Sequence, residues 1–98
     1  MSKFGELIES RTPVLLNFYA EWDETSKKMH PVMREVATAL GENVRVIKID
    51  VEKNKELSDA LRVKNLPTFM IYKNAEMKWR QGGEQDADTL IGLIKEYI

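Results

Sequence analysis

The sequence predicts an α/β domain: a four-stranded mixed sheet with helices on both faces. Three observations carry that prediction. From Val14 to Ala20 the apolar residues are consecutive rather than alternating, the mark of a strand covered on both faces. A helical pattern follows and leads into a second β-branched run, which makes a strand–helix–strand unit with parallel strands. Two later strand-like runs flank a short polar turn and read as an antiparallel hairpin.

Each element has a local reason. Phe4, Leu7 and Ile8 share one side of a short opening helix, with Ser2 placed as its N-cap. Arg11-Thr12-Pro13 breaks that helix, and Pro13 suits the first residue of a strand. The long helix runs from about Glu24 to Leu40. Met29, Val32, Met33, Val36, Ala37 and Leu40 recur at spacings of three and four and form its inner face. Pro31 inside it predicts a kink, and Gly41 ends it. Val44 to Val51 is the second strand. A short helix with Leu57, Ala60 and Leu61 inward comes next.

The hairpin pairs Pro67–Tyr72 with Met77–Gln81 around Lys73-Asn74-Ala75-Glu76. Its second strand alternates apolar with charged residues, as an edge strand does. Gly82-Gly83 forms a joint, and Leu90, Leu93, Ile94 and Tyr97 line the last helix. Gly92 within that helix costs about 1 kcal/mol against alanine, which points to close packing there. The resulting order is α-β-α-β-α-β-β-α.

Composition bounds the function. The 98 residues suit one domain, 1–98, with a single core. A net charge of −1 leaves no basic footprint for nucleic acid. The longest apolar run, Val14 to Ala20, is too short to span a membrane, and the first residues lack the apolar core of a signal peptide. A cytoplasmic location is the expectation. The chain contains no cysteine, so no disulfide and no thiolate metal site is available.

Several motifs taken together carry a family resemblance. Phe18-Tyr19-Ala20-Glu21-Trp22 resembles the Phe-Trp-Ala-x-Trp segment that leads into the thioredoxin active site. Lys27 and Pro31 match that family's long helix, and Leu66-Pro67-Thr68 resembles its cis-proline turn. Lys73-Asn74-Ala75-Glu76 is similar to its Lys-Asn-Gly-Glu hairpin, with Ala75 in place of glycine. Gly83 falls where the family has the glycine bordering its substrate groove. The resemblance runs from about Pro13 to Ile98 and implies the thioredoxin fold without its extra N-terminal strand.

Two departures from the family decide what chemistry is left. The family's Trp-Cys-x-x-Cys-Lys reads here Trp22-Asp23-Glu24-Thr25-Ser26-Lys27, so Asp23 and Ser26 stand where the redox pair would be. Thiol–disulfide exchange needs an attacking thiolate and a sulfur to receive it, and this chain supplies neither. The family's buried proton-handling aspartate is replaced by Asn17. Asparagine keeps the hydrogen-bonding shape without the charge, and a protein with no thiol to deprotonate has no need of the acid. The lysine that approaches that acid in the family corresponds to Lys48, whose pairing would be lost.

The residue types offer other chemistries, each with a plainer structural role. Asp23 at the start of the long helix is an N-cap or an anion presented to a ligand. Ser26 and His30 share a helix face, but no oxyanion donor accompanies them. Glu21, Asp23, Glu24 and His30 lack the spacing of a metal set. Met29, Met33 and Met70 have core spacing rather than that of a flexible binding surface. Neither metal nor cofactor is expected.

Three readings stay open. The first is a redox-inactive thioredoxin-like domain, a monomer that binds an extended peptide or protein segment. Its groove comprises Trp22, Asp23, Leu66, Pro67, Thr68 and Gly83, by analogy with strand addition beside the family's proline turn. The second is a thiol–disulfide oxidoreductase whose two cysteines have been replaced. The third is a scaffolding protein that uses the edge strand Met77–Gln81, with Trp79 as its contact.

Overall fold

The computed structural model describes residues 3–98; the Ser2 cap lies outside the described residues. In chain order the elements are α1 (Lys3–Ile8), β1 (Val14–Tyr19), α2 (Glu24–Leu40), β2 (Arg45–Asp50), α3 (Lys55–Ala60), β3 (Thr68–Lys73), β4 (Glu76–Gly82) and α4 (Ala87–Lys95). A single 3-10 turn, Gly41–Asn43, joins α2 to β2. The sheet order is β2-β1-β3-β4, with β1 and β2 parallel and the other two pairings antiparallel.

Strand alternation separates two cores. Leu15 of β1 and Phe69 and Ile71 of β3 face α2 and α4, against Met29, Met33, Val36, Leu40, Leu90 and Ile94. Val14, Leu16, Phe18, Met70 and Tyr72 face the opposite side, where Ile8 and the partly buried Phe4, Leu57 and Leu61 cover them. Val14 to Phe18 have no solvent exposure at all, which is why the run lacks alternation. No helix among the described residues is long and apolar enough to cross a membrane.

Three expectations are corrected. Ala37 is exposed, because the inner stripe of α2 turns through Met33, Val36 and Leu40 and leaves it at the margin. In α3, Leu57 and Leu61 face inward as expected, but Ala60 is exposed and Ser58 is the buried residue between them. A Cβ at Gly92 would meet nothing within 4 Å; the glycine marks open surface, not close packing. β2 lies at the sheet edge, and of its residues only Ile49 is fully buried.

The hairpin turn explains itself through backbone sign. Asn74 and Ala75 both have positive φ, 52° and 68°, the geometry of a two-residue turn that matches strand twist. Lys78 is the extra residue of a bulge: Ile71 pairs with Trp79 and Tyr72 with Met77.

Candidate functional site

The site grows from the C-terminal end of β1. Beyond Tyr19 the chain turns tightly, with Asp23 N–H donating to the Ala20 carbonyl at 3.1 Å. Asp23 then opens α2. Its carboxylate accepts the Ser26 N–H at 2.8 Å, which satisfies one of the helix's unpaired donors. The carboxylate also sits in the favourable field of the helix N-terminus. Ser26 is fully buried, and its hydroxyl accepts the Ala20 N–H at 3.4 Å. Both residues at the positions of a redox pair therefore hold the turn together.

Ser26 and His30 are not joined by a hydrogen bond. The His30 ring instead packs edge-on against Tyr19, 5.3 Å between centroids, and its Nδ1 is buried without a partner. Among the described residues no group of three or more His, Asp or Glu side chains comes together, so Glu21, Asp23, Glu24 and His30 form no metal cluster.

The second half of the site comes from the same end of the sheet. Thr68 pairs with Phe18 on β1 and with Gly82 on β4, which brings the Pro67 turn and the Gly82-Gly83 joint beside the end of β1. Gly83, at φ 94°, donates its N–H to the Pro67 carbonyl at 2.7 Å. A side chain is strained at that φ, so the glycine answers a backbone need rather than a lack of space. The Leu66–Pro67 peptide is cis. Among the described residues the Leu66 N–H and carbonyl meet no partner within the protein, so both are free to meet an added segment.

Trp22 stands 65% exposed, the most exposed large apolar side chain among the described residues. Its indole Nε1 donates to Glu52 Oε1 at 2.8 Å, which steers the ring without covering it. Glu52 is a residue that the sequence did not single out. The available signal was its place just past β2, since loops at the C-terminal ends of parallel strands gather at one end of the sheet.

Under this surface lies Asn17, with no exposure and with neither Oδ1 nor Nδ2 hydrogen-bonded. Lys48 pairs with it in strand register, but its ammonium lies over the Tyr19 ring, 5.9 Å from the centroid. The Tyr19 hydroxyl is held above the usual phenol range by burial and by the nearby Asp50 and Glu21 carboxylates. Trp79, the residue proposed for an edge contact, is partly buried and packs against the core beside α4.

Comparison with known proteins agrees with this geometry. The Thioredoxin family model matches residues 1–96. "Thioredoxin Y, chloroplastic" of Oryza sativa is 40% identical over 98 residues, covering 99% of this chain and 58% of the rice protein. The thioredoxin of Rickettsia felis is 32% identical over 93 residues, covering 95% of this chain and 89% of that protein. Among solved structures, mitochondrial thioredoxin 3 from Saccharomyces cerevisiae superposes with a TM-score of 0.85 at 26% identity, covering 96% of this chain and 87% of that one. This chain, which has Asp23 and Ser26 where the redox cysteines would stand, belongs to the thioredoxin family.

Proposed function

We propose that this domain is a redox-inactive member of its family that works by binding an extended segment of a partner protein, as a monomer and without a cofactor. The observation that carries the reading is the pairing of a complete site frame with absent sulfur: Trp22 is exposed, Leu66 has free backbone groups, and a carboxylate caps the helix. A segment laid beside Leu66 gains backbone hydrogen bonds and apolar contact with Trp22, whereas Pro67, expected to line the groove, is fully buried and only shapes the turn beneath it. Asp23 and Gly83 border that contact, while Thr68 is buried below it with its hydroxyl donating to the Asn65 carbonyl at 2.6 Å. So few anchors give modest affinity.

Amide shift mapping with short, uncharged extended peptides tests the reading. Changes are expected at Trp22, Leu66 and Gly83, and Trp22→Ala weakens binding. Shifts elsewhere, or none, defeat it. Disulfide reductase activity should be absent throughout.

A second reading has one support, the redox-type names of the relatives: an oxidoreductase whose cysteines were replaced. Asp23→Cys combined with Ser26→Cys then restores strong disulfide reduction. Under the binding reading the double variant is weak, because Asn17 supplies no proton-handling acid. The compartment belongs to the same proposal. Cytoplasm is the default and a plastid the rival, since the rice relative is named chloroplastic; fractionation of the source cells decides.

A further inference from the structure

The sheet has two edges, and they are built differently. β4 is guarded: it carries a bulge, Lys78 is paired with Glu76 at 3.0 Å, and Arg80 is tied to the Leu61 and Arg62 carbonyls. β2 has no bulge and no ion pair among the described residues; its Arg45 reaches the Leu7 carbonyl at 3.4 Å at one end only, and Lys48 stands exposed. Arg45 N–H and Val51 N–H donate to β1 and its flank, to the Pro13 and Tyr19 carbonyls. Backbone direction alternates along a strand, so the N–H and carbonyl groups of Val46 and Lys48 point away from β1. Among the described residues they have no partner.

A cleft lies on each face of this edge. On the α2 side, Met33, Ala37 and Val46 form a floor beneath His30, Arg34 and Lys48, enclosing about 200 Å³. On the α1 side, Phe4, Leu7, Ile47 and Leu57 form a second floor beside Lys3 and Lys48, enclosing about 220 Å³. No acidic residue lines either cleft, although the chain as a whole is slightly acidic. Lys3, Arg34 and Lys48 have no ion pair among the described residues. The Asp50 carboxylate at the strand's end accepts the Glu52 N–H at 2.8 Å and lines neither cleft.

We propose that the β2 edge receives a partner segment as a fifth strand, one that is apolar on both faces and flanked by carboxylates. Alternate side chains of an added strand fall into the two clefts in turn, while its backbone pairs with Val46 and Lys48. The cationic rims select acidic flanks. A second copy is the poorer occupant. Its β2 brings Arg45 and Lys48 against the same cations, and its β4 brings Lys78 and Arg80. This surface is separate from the one at Trp22 and Pro67, so either can fail alone.

The probe is the peptide acetyl-Glu-Glu-Val-Ile-Val-Glu-Glu-amide, titrated into the full chain while amide shifts and hydrogen exchange are followed. Shifts and new protection are expected at Val46 and Lys48. Replacing the peptide's central isoleucine by proline should abolish them, and a lysine-flanked peptide should not bind. Lys48→Glu and, separately, Arg34→Glu should each weaken binding roughly tenfold, with affinity falling as salt rises. Both side chains are exposed, and unchanged circular dichroism confirms folding. The proposal is overturned by shifts confined to Trp22 and Leu66, by equal binding of the lysine peptide, or by no binding. Concentration-dependent protection of Val46 and Lys48 without peptide overturns it in favour of a second copy.

Discussion

Replacing Asn17 by valine should make this protein more stable. The side chain is completely buried, and both ends of its amide lack a hydrogen-bond partner. A buried unsatisfied polar group costs about 1–3 kcal/mol. Valine removes that cost and suits a central strand, while its slightly different shape returns up to about 1 kcal/mol in fit. With the middle of each range, about 2 kcal/mol gained and about 0.5 kcal/mol returned, the net gain for Asn17→Val is about 1.5 kcal/mol, which raises Tm by roughly 6–12 °C in a domain of this size. Urea and thermal unfolding measure it directly, provided different probes give coincident transitions.

Asn17→Asp is the companion variant. Desolvation raises the pKa of the introduced carboxyl above its unfolded value of about 3.9. With a raised folded pKa, the stabilising contribution is present below the unfolded pKa and is lost as pH rises through the folded one. The variant should therefore be more stable near pH 4, relative to the parent, than near pH 8. If Asn17→Val is no more stable than the parent, or Asn17→Asp shows no such pH trend, the account of Asn17 as a costly remnant of a proton-handling site is wrong.

Three further outcomes are expected. Asp23→Ala removes the α2 cap and should cost about 1 kcal/mol, whereas Asp23→Asn should cost far less; equal losses would point to charge rather than capping. Ala75→Gly should raise stability by up to about 1 kcal/mol in urea unfolding, since Ala75 holds a φ of 68° where glycine is unstrained. Burial holds the Tyr72 hydroxyl above its usual range, as it does that of Tyr19. Groups with raised folded pKa lose their contribution as pH rises, so stability should fall above about pH 10, and Tyr72→Phe should flatten that fall.

Much of the fold was legible because its signals are local. The unalternating Val14–Ala20 run, the long stripe through Met29, Met33 and Val36, and the hairpin around Asn74-Ala75 each need only neighbouring residues to be read. Asp23 as a cap was readable for the same reason, since it acts on Ser26 within one turn. Errors gathered where burial depends on a neighbour far along the chain. Ala37 and Ala60 have the right spacing for an inner face, but no opposing element reaches them. The outer side of β2 is likewise unpaired among the described residues, a matter of sheet order that its β-branched composition does not disclose.

By itself the sequence determined the family, the strand and helix order, and the loss of thiol chemistry, because an absent sulfur atom is a matter of composition. Only the tertiary structure decided how exposed Trp22 is, that Glu52 steers it, that Asn17 has no partner, and that cationic clefts flank an open edge. Those properties arise between residues distant in the chain, where packing and hydrogen-bond geometry, not residue type, set the outcome.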